Sequence, residues 1–198
     1  MKQRFQRFQR NRQAFTLIEL LVTVAIILVL VGILIPAINA VREKAKKTMA
    51  FAEMKNLESA WRDYLTTYRK PPISMSIPGL IPRFESPGAP IIGSIAGLLK
   101  GQNIDGLNSK EQAFMVFKRV DSDGDPITPW GSSEASKNNL KYWYHVKFDK
   151  NFDHYINKGI GEPLDPPTAT IGRDFIVWAY NPNVDDNVEG HVLRSWEQ

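Results

Sequence analysis

The sequence predicts an α+β fold in which a long N-terminal helix, first transmembrane and then amphipathic, packs on a small antiparallel β-sheet. Three patterns carry this prediction. The run from Leu20 to Ile38 is uncharged and mostly apolar. Apolar residues then recur at three- and four-residue steps to about Arg69, and short apolar runs separated by turn residues fill the last third. Because helix and sheet each have an apolar face, we expect each to cover the other.

The composition is that of one folded domain plus an extension: 198 residues, 43% hydrophobic and 23% charged. The formal charge of +4 comes from the first fourteen residues, which hold five basic and no acidic side chains, whereas the remainder has 20 basic and 21 acidic residues. The charge therefore gives little support for a nucleic-acid partner. With no cysteine and three scattered histidines, disulfides and thiol catalysis are excluded, and we expect no enzyme.

Residues 1–14 are predicted to be a leader peptide on the cytoplasmic side, because basic residues beside an apolar segment are retained there. As a helix, the uncharged run Leu20–Ile38 measures about 28 Å, enough to span a bilayer. The alternative is a conventional secretory signal cleaved after Ala40. It fits poorly, because such signals have an apolar region of roughly 7–15 residues and small residues flanking the cut.

The segment from Ala14 to Val22 reads AFTLIELLV and resembles the processing motif of type IV prepilins and type II secretion pseudopilins. The resemblance implies a type IV pilin-like fold. It also implies that prepilin peptidase, a membrane-embedded aspartic peptidase, cleaves between Ala14 and Phe15, methylates the new amino group of Phe15, and leaves the apolar helix in place. The family usually has Gly before the cut, and Ala14 keeps a small side chain at that position.

Glu19 is the one charged residue between Ala14 and Ile38. A carboxylate left at mid-bilayer costs roughly 2.5–3.5 kcal/mol on insertion scales. The resemblance implies that Glu19 pairs with the amino group of Phe15 in a neighbouring subunit. Since either charge alone is costly to desolvate, pairing favours assembly in a staggered register. The alternative is an acid close enough to the interface to stay hydrated.

Pro36, near the end of the apolar run, predicts a kink or local melting because proline removes one helical hydrogen bond. Unwinding as subunits pack into a filament and a simple helix bend are both open. The predicted segments are the cleaved leader 1–14, the transmembrane and filament-core helix 15–38, the amphipathic helix 39–70, and the periplasmic globular domain 71–198.

The amphipathic helix is predicted to end at Pro71-Pro72. Its apolar positions are Val41, Ala45, Met49, Ala52, Leu57, Ala60, Trp61, Tyr64, Leu65 and Tyr68. We expect the rest of the chain to cover this stripe. A coiled coil is the alternative, but the heptad is not sustained.

Residues 71–90 hold six prolines and predict an irregular loop. A short helix is predicted in 91–100, and another from the capping-box spacing of Ser109 and Gln112. The strands predicted by alternation and turn residues are Leu140–Phe148, Tyr155-Ile156, Phe175–Tyr180 and His191–Trp196.

Two acidic runs, beginning at Asp121 and Asp149, open like calcium loops but lack the later ligands, and we interpret them as turns between elements. The C-terminal part resembles the major-pseudopilin subgroup in Pro129-Trp130-Gly131, Phe175–Tyr180, Asp185-Asp186 and Ser195-Trp196. That resemblance implies calcium at Asp185 and Asp186, the one cofactor considered. The Gly-rich turn usual there is replaced by Asn181-Pro-Asn-Val.

The resemblance implies a structural subunit of a periplasmic pseudopilus in a type II protein secretion system. Its partners would be other pseudopilins in a helical polymer, prepilin peptidase, the inner-membrane assembly platform and the membrane itself. The single-pass chain would have its N-terminus in the cytoplasm and its C-terminal domain in the periplasm. The alternatives are a type IV pilin of a surface pilus (adhesion, motility or DNA uptake) and a single-pass anchored binding protein. The absence of cysteine favours the pseudopilin, because the family's pilins usually carry a disulfide-bound loop.

Overall fold

The computed structural model describes residues 15–72, 89–132, 139–149, 154, 156–157, 170–184 and 192–195. The predicted leader with Ala14, and the predicted calcium residues Asp185 and Asp186, lie outside these ranges. The chain divides into two compact units, Met1–Glu43 and Lys44–Gln198.

Helix α1, Leu17–Tyr68, is 52 residues long and covers both predicted helical segments, 15–38 and 39–70, except for two residues at each end. It ends just before Arg69, whose positive φ of 57° departs from helical geometry, and before the two prolines that were predicted to stop it. The helix continues through Pro36, so no segment of it ends there. Unwinding at Pro36 during assembly stays a prediction.

In the first unit, the apolar part of α1 is exposed throughout its described length. An 18-residue window has a mean hydropathy of 3.1 and is 0% buried. By length and composition this helix is able to cross a membrane. It fits a membrane-anchored single-pass protein.

In the second unit, a short helix α2, Gly93–Leu99, and a 3-10 turn, Leu140–Tyr142, accompany six strands. In chain order the strands are β1 Ala89–Pro90, β2 Tyr144–Phe148, β3 Ile156–Asn157, β4 Thr170–Ile171, β5 Phe175–Tyr180 and β6 Val192–Arg194. An antiparallel sheet has the order β1-β2-β5-β6, and β3 pairs with β4 in a separate ribbon. In the centre of the four-stranded sheet, Val146 of β2 lies opposite Val177 of β5.

One face of the sheet packs on α1. The indole of Trp61 is fully buried, and its centroid lies 5.0 Å from that of Phe148 in an edge-to-face arrangement. The main core comprises side chains from α1, α2 and the sheet, among them Ala50, Met54, Leu57, Tyr64, Ile95, Leu99, Val146, Val177 and Leu193. The predicted α+β architecture is confirmed, and it is consistent with a type IV pilin-like fold.

The opposite face of the sheet has a second, smaller core that includes Ile156, Ile176, Trp178, Tyr180 and Val192. Strand β3 contributes Ile156 to it. The two long strands are consequently buried at every position. Such strands are found where both faces of a sheet are covered.

The prediction that the globular part covers the whole apolar stripe of α1 is wrong for its first half. Val41 is 68% and Met49 50% exposed, and Ala45 and Ala52 are also exposed. The first fully covered residue is Ala50. At about 100° per residue, Met49 and Ala52 point well away from the face on which Ala50 lies. A stripe read from apolar spacing alone does not distinguish these faces.

The helix predicted from Ser109 and Gln112 is also wrong, because residues 111–117 are not helical. The side-chain amide of Asn108 donates to a carbonyl at the end of α2 at 3.1 Å, and its oxygen accepts the N–H of Gln112. The N–H of Phe114 then donates to the last carbonyl of α2 at 2.9 Å. These bonds hold the segment extended, so that the ring of Phe114 reaches the aromatic side chains of α1.

The strand prediction is confirmed for Phe175–Tyr180, and Leu140–Phe148 is a strand only from Tyr144. Of the other two predicted strands, Ile156 lies in β3 and Val192–Arg194 form β6. Strand β1, inside the predicted loop 71–90, and strand β4 were not predicted. The run at Asp121 is a turn, as predicted, in which Asp121 Oδ1 accepts the N–H groups of Asp123 and Asp125 at 2.9 Å each. The run at Asp149 lies mostly outside the described residues.

Candidate processing and assembly site

Thr16 and Glu19 form a reciprocal hydrogen-bonded cap at the beginning of α1. The N–H and the hydroxyl of Thr16 both donate to Glu19 Oε2 at 2.8 Å, and the N–H of Glu19 donates to Thr16 Oγ1 at 3.3 Å. This is the capping box, in which two donors left without partners at a helix start are satisfied together. The arrangement holds the carboxylate of Glu19 at the first turn.

The cap lies next to the bond that the resemblance marks for cleavage. Phe15 directly precedes Thr16, and its side chain is 81% exposed. Because covalent geometry limits the separation of consecutive backbone nitrogens, the nitrogen of Phe15 lies within about 6.5 Å of Glu19 Oε2. Hydrolysis between Ala14 and Phe15 would turn that peptide nitrogen into an amino group, and it would leave the Phe15–Thr16 bond and the cap intact.

The other carboxylate oxygen of Glu19 makes no hydrogen bond to any residue that the structure describes. A shallow depression of about 410 Å³ opens beside it, lined by Phe15, Ile18, Val22 and Thr23. The cap thus uses one oxygen of Glu19, and the side chain as a whole is exposed and borders an open, largely apolar depression. A cation from outside the subunit has access to the carboxylate.

The structure brings Phe15, Thr16 and Glu19 together, but it does not bring Pro36 to them. Pro36 is seventeen residues beyond Glu19, about 25 Å along an ideal helix. Thr16 is the residue that sequence reasoning missed. The signal was available in the T-x-x-E spacing, the same kind of pattern that was applied incorrectly at Ser109.

For metal binding, the described residues contain no group of three His, Asp or Glu side chains placed to hold an ion. Asp185 and Asp186 lie outside the described ranges. Calcium at these two residues therefore stays a prediction of the resemblance, and no function below depends on it.

The C-terminal strand is attached to α1 by a second polar cluster. The hydroxyl of Ser195 donates to Glu58 Oε1 at 2.5 Å, and Lys55 Nζ donates to the Ser195 carbonyl at 2.6 Å. Arg173 approaches the same carboxylate at 3.5 Å. Glu58 is buried, and these partners compensate for its desolvation. The cluster holds the end of strand β6 on α1 within the globular unit.

Comparison with known proteins agrees with the N-terminal geometry. A family model described as the prokaryotic N-terminal methylation motif matches residues 9–35. Neither a curated protein nor a solved structure matches the chain. The matched residues contain the predicted cleavage position, the Thr16–Glu19 cap and most of the apolar run. The chain thus carries an N-terminal methylation motif like that of prepilins, and this motif implies processing by prepilin peptidase and assembly into polymers.

Proposed function

We propose that the chain is a structural subunit of a periplasmic pseudopilus in a type II protein secretion system, and that it is not an enzyme. The capping box carries the proposal, because it holds the Glu19 carboxylate beside the future amino group while one oxygen stays accessible. The lack of cysteine favours a pseudopilin over a surface pilin. The chemistry is performed on the chain by the peptidase.

The proposed mechanism begins with the precursor in the inner membrane, its basic leader in the cytoplasm and its globular domain in the periplasm. Cleavage then places an ammonium group on Phe15, near Glu19 of the same subunit. Two opposite charges close together are less costly in a membrane than one charge alone. The processed helix end is consequently better suited to the bilayer than an isolated carboxylate would be.

Assembly exchanges the partner of this carboxylate. When the assembly platform brings a second subunit alongside, the amino group of its Phe15 pairs with the accessible oxygen of Glu19. The number of paired charges does not change, so the exchange is favourable once the exposed apolar helices of the two subunits also pack. Repetition of the step extends the polymer in one direction, as heterologous contacts that do not close must do.

Mass spectrometry of the protein extracted from membranes tests the processing step. We expect an N-terminal peptide that begins with methylated Phe15. Ala14→Gly is the matched control and should give the same peptide, whereas Ala14→Leu should accumulate precursor because the position needs a small side chain. An N-terminus that remains Met1 in the unmodified protein would contradict the proposal.

The type of filament is tested by deleting the gene and following two phenotypes. A pseudopilus subunit predicts that folded proteins destined for secretion accumulate in the periplasm. Surface filaments seen by electron microscopy should be unchanged. Loss of surface filaments with normal secretion would instead identify a type IV pilin, and loss of neither would favour an anchored binding protein.

A further inference from the structure

Four cations follow the apolar run of α1 within a short stretch. They are Arg42, Lys44, Lys46 and Lys47, with one acid, Glu43, among them. They come four to nine residues after Ile38, where the apolar run ends. In the processed chain they are the first basic residues, because no Lys or Arg occurs between Phe15 and Val41. We call residues 42–47 the basic segment.

The side chains of these four cations make no hydrogen bond or ion pair with the described residues. Arg42 and Lys44 are exposed, and the other two are partly exposed. Cations further along the chain are used differently. Lys55 contacts Glu58, and Arg119 contacts Glu53. Lys55 and Arg119 are thus ion-paired within the globular unit, whereas the four cations of the basic segment have no such partner among the described residues.

A polar headgroup layer of roughly 5–7 Å separates the hydrocarbon core from water on each side, about the length of four helical residues. Cations that begin four residues after an apolar span are thus at the depth of lipid phosphates. Lysine and arginine side chains reach towards that layer while their stems lie along apolar surface. Anionic lipids attract such residues, and the attraction falls off within a Debye length.

We propose that the basic segment binds the headgroups of anionic phospholipids in the leaflet where the helix emerges on the side of the globular unit. This rests on the proposed membrane-anchored function. The ligand chemistry is a phosphodiester oxyanion, which Arg42 can contact with two N–H groups and each lysine with a single ammonium. The contact would hold a processed subunit at a defined depth until it is extracted, and extraction would have to break it.

The full chain in lipid nanodiscs, where both leaflets are accessible, tests the proposal. A water-soluble amine reagent is applied, and acylation of each lysine is followed by mass spectrometry. One kind of disc contains about 30 mol% phosphatidylglycerol, a fraction that gives a clear surface charge. In these discs, acylation of Lys44, Lys46 and Lys47 should be roughly fivefold slower than in phosphatidylcholine discs. The exposed lysines Lys70 and Lys118 are internal controls, whose acylation rate should be the same in both kinds of disc. The basic leader does not affect the comparison, because the acylation of each lysine is measured separately.

Salt and phosphate separate the headgroup from other ligands. About 1 M NaCl should abolish the protection, because the Debye length shortens to about 3 Å. Equal acylation rates in the two kinds of disc would overturn the proposal. Equal protection of the lysines by inorganic phosphate in phosphatidylcholine discs would also overturn the proposal. Protection in phosphatidylcholine discs that rises with protein density would overturn it too, because it would indicate that a second copy of the chain covers the lysines.

A variant pair gives an independent reading. In a chain that begins at Phe15 and so lacks the five leader cations, K44Q/K46Q/K47Q should lose most of the preference for spin-labelled phosphatidylglycerol, by roughly tenfold, whereas the control K70Q/K110Q/K118Q should keep it. An unchanged preference in the first variant would overturn the proposal. Processing at Phe15 does not depend on these lysines, so its failure and that of the lipid contact are distinguishable.

Discussion

The two parts of helix α1 differ in what their side chains contact. From Leu17 to Glu43 the apolar side chains are exposed on every face. From Ala50 to Tyr64 one face is covered by the globular unit, at positions such as Met54, Leu57 and Trp61. One continuous helix thus has side chains in two environments, exposed in its first part and packed against the globular unit in its second. The first part depends on lipid or other subunits for its cover, whereas the second depends on its own chain.

Trp61→Ala should give the largest effect and confine it to the second part. Removing a fully buried indole from the helix–sheet core should lower the free energy of unfolding of the globular unit by about 3–5 kcal/mol. The measurement is chemical denaturation in detergent followed by circular dichroism. Val29→Ala, on the exposed apolar part, is the control and should leave the transition unchanged. Similar losses in both variants would mean that the two parts do not differ as described.

Acidification should weaken the second, smaller core of the sheet through His145, which packs on Trp178 and Tyr180. This imidazole is buried, stacks on Trp178 at 5.4 Å between centroids, and burial lowers its pKa to about 3. Neither ring nitrogen has a hydrogen bond of ordinary geometry, although the backbone at Trp143 slightly favours the charged form. Neutral His145 therefore stabilises the fold above the unfolded pKa of about 6.5, and this stability is lost as pH falls from there towards 3.

Between pH 6.5 and 4.5 the loss attributable to His145 should be about 2–3 kcal/mol. It is measured as the difference between the unmodified chain and His145→Phe in denaturation midpoints at each pH. The phenylalanine variant keeps the aromatic contact and all carboxylates, so both chains share the remaining titrations. Parallel pH curves would show that His145 does not titrate in this way.

Loss of the Glu58 carboxylate should loosen strand β6 without changing the exposed part of α1. Glu58→Ala leaves the Ser195 hydroxyl without its acceptor and removes the counterion of Lys55 and Arg173, which should cost about 1–3 kcal/mol. Hydrogen exchange of the β6 amides is the readout. Glu58→Gln retains an acceptor for the hydroxyl and should have a smaller effect. Faster exchange near Thr16 in either variant would contradict this localisation.

The smallest expected effect separates the two roles of the Thr16–Glu19 cap. Thr16→Ala removes the hydroxyl and should raise hydrogen exchange in the first turn of α1 about fivefold. Glu19→Gln can still cap the helix but has no charge, so exchange should change little while cross-linking between subunits falls. Normal cross-linking of Glu19→Gln would refute the pairing with Phe15, and unchanged exchange in Thr16→Ala would refute the cap.

Much of α1 was predictable because its determinants are local: an uncharged apolar run, a regular apolar spacing and two prolines after Lys70. Strand β5 was predictable for the same reason. The false helix after Ser109 had a valid local signal, but the side chain of Asn108 tied the segment to α2 through contacts that spacing does not contain. Strand β1 includes Pro90 and depends on pairing with β2, so its own residues give no strand signal.

The residues of the candidate site were predictable to different extents. Phe15 and Glu19 follow from the order of basic leader, motif and apolar run. Thr16 was not predicted, although its T-x-x-E spacing to Glu19 is the local signal of a capping box. The exposed half of the apolar stripe could not be foreseen, since apolar spacing does not reveal how far along α1 the sheet extends.

The position of the Thr16–Glu19 cap also bears on how a peptidase handles its substrate. The first helical hydrogen bond that the structure describes runs from the N–H of Leu20 to the carbonyl of Thr16. The bond between Ala14 and Phe15 precedes that carbonyl, so its hydrolysis breaks no hydrogen bond of the helix. A protease that needs an extended segment in its cleft would not have to unfold any turn of α1.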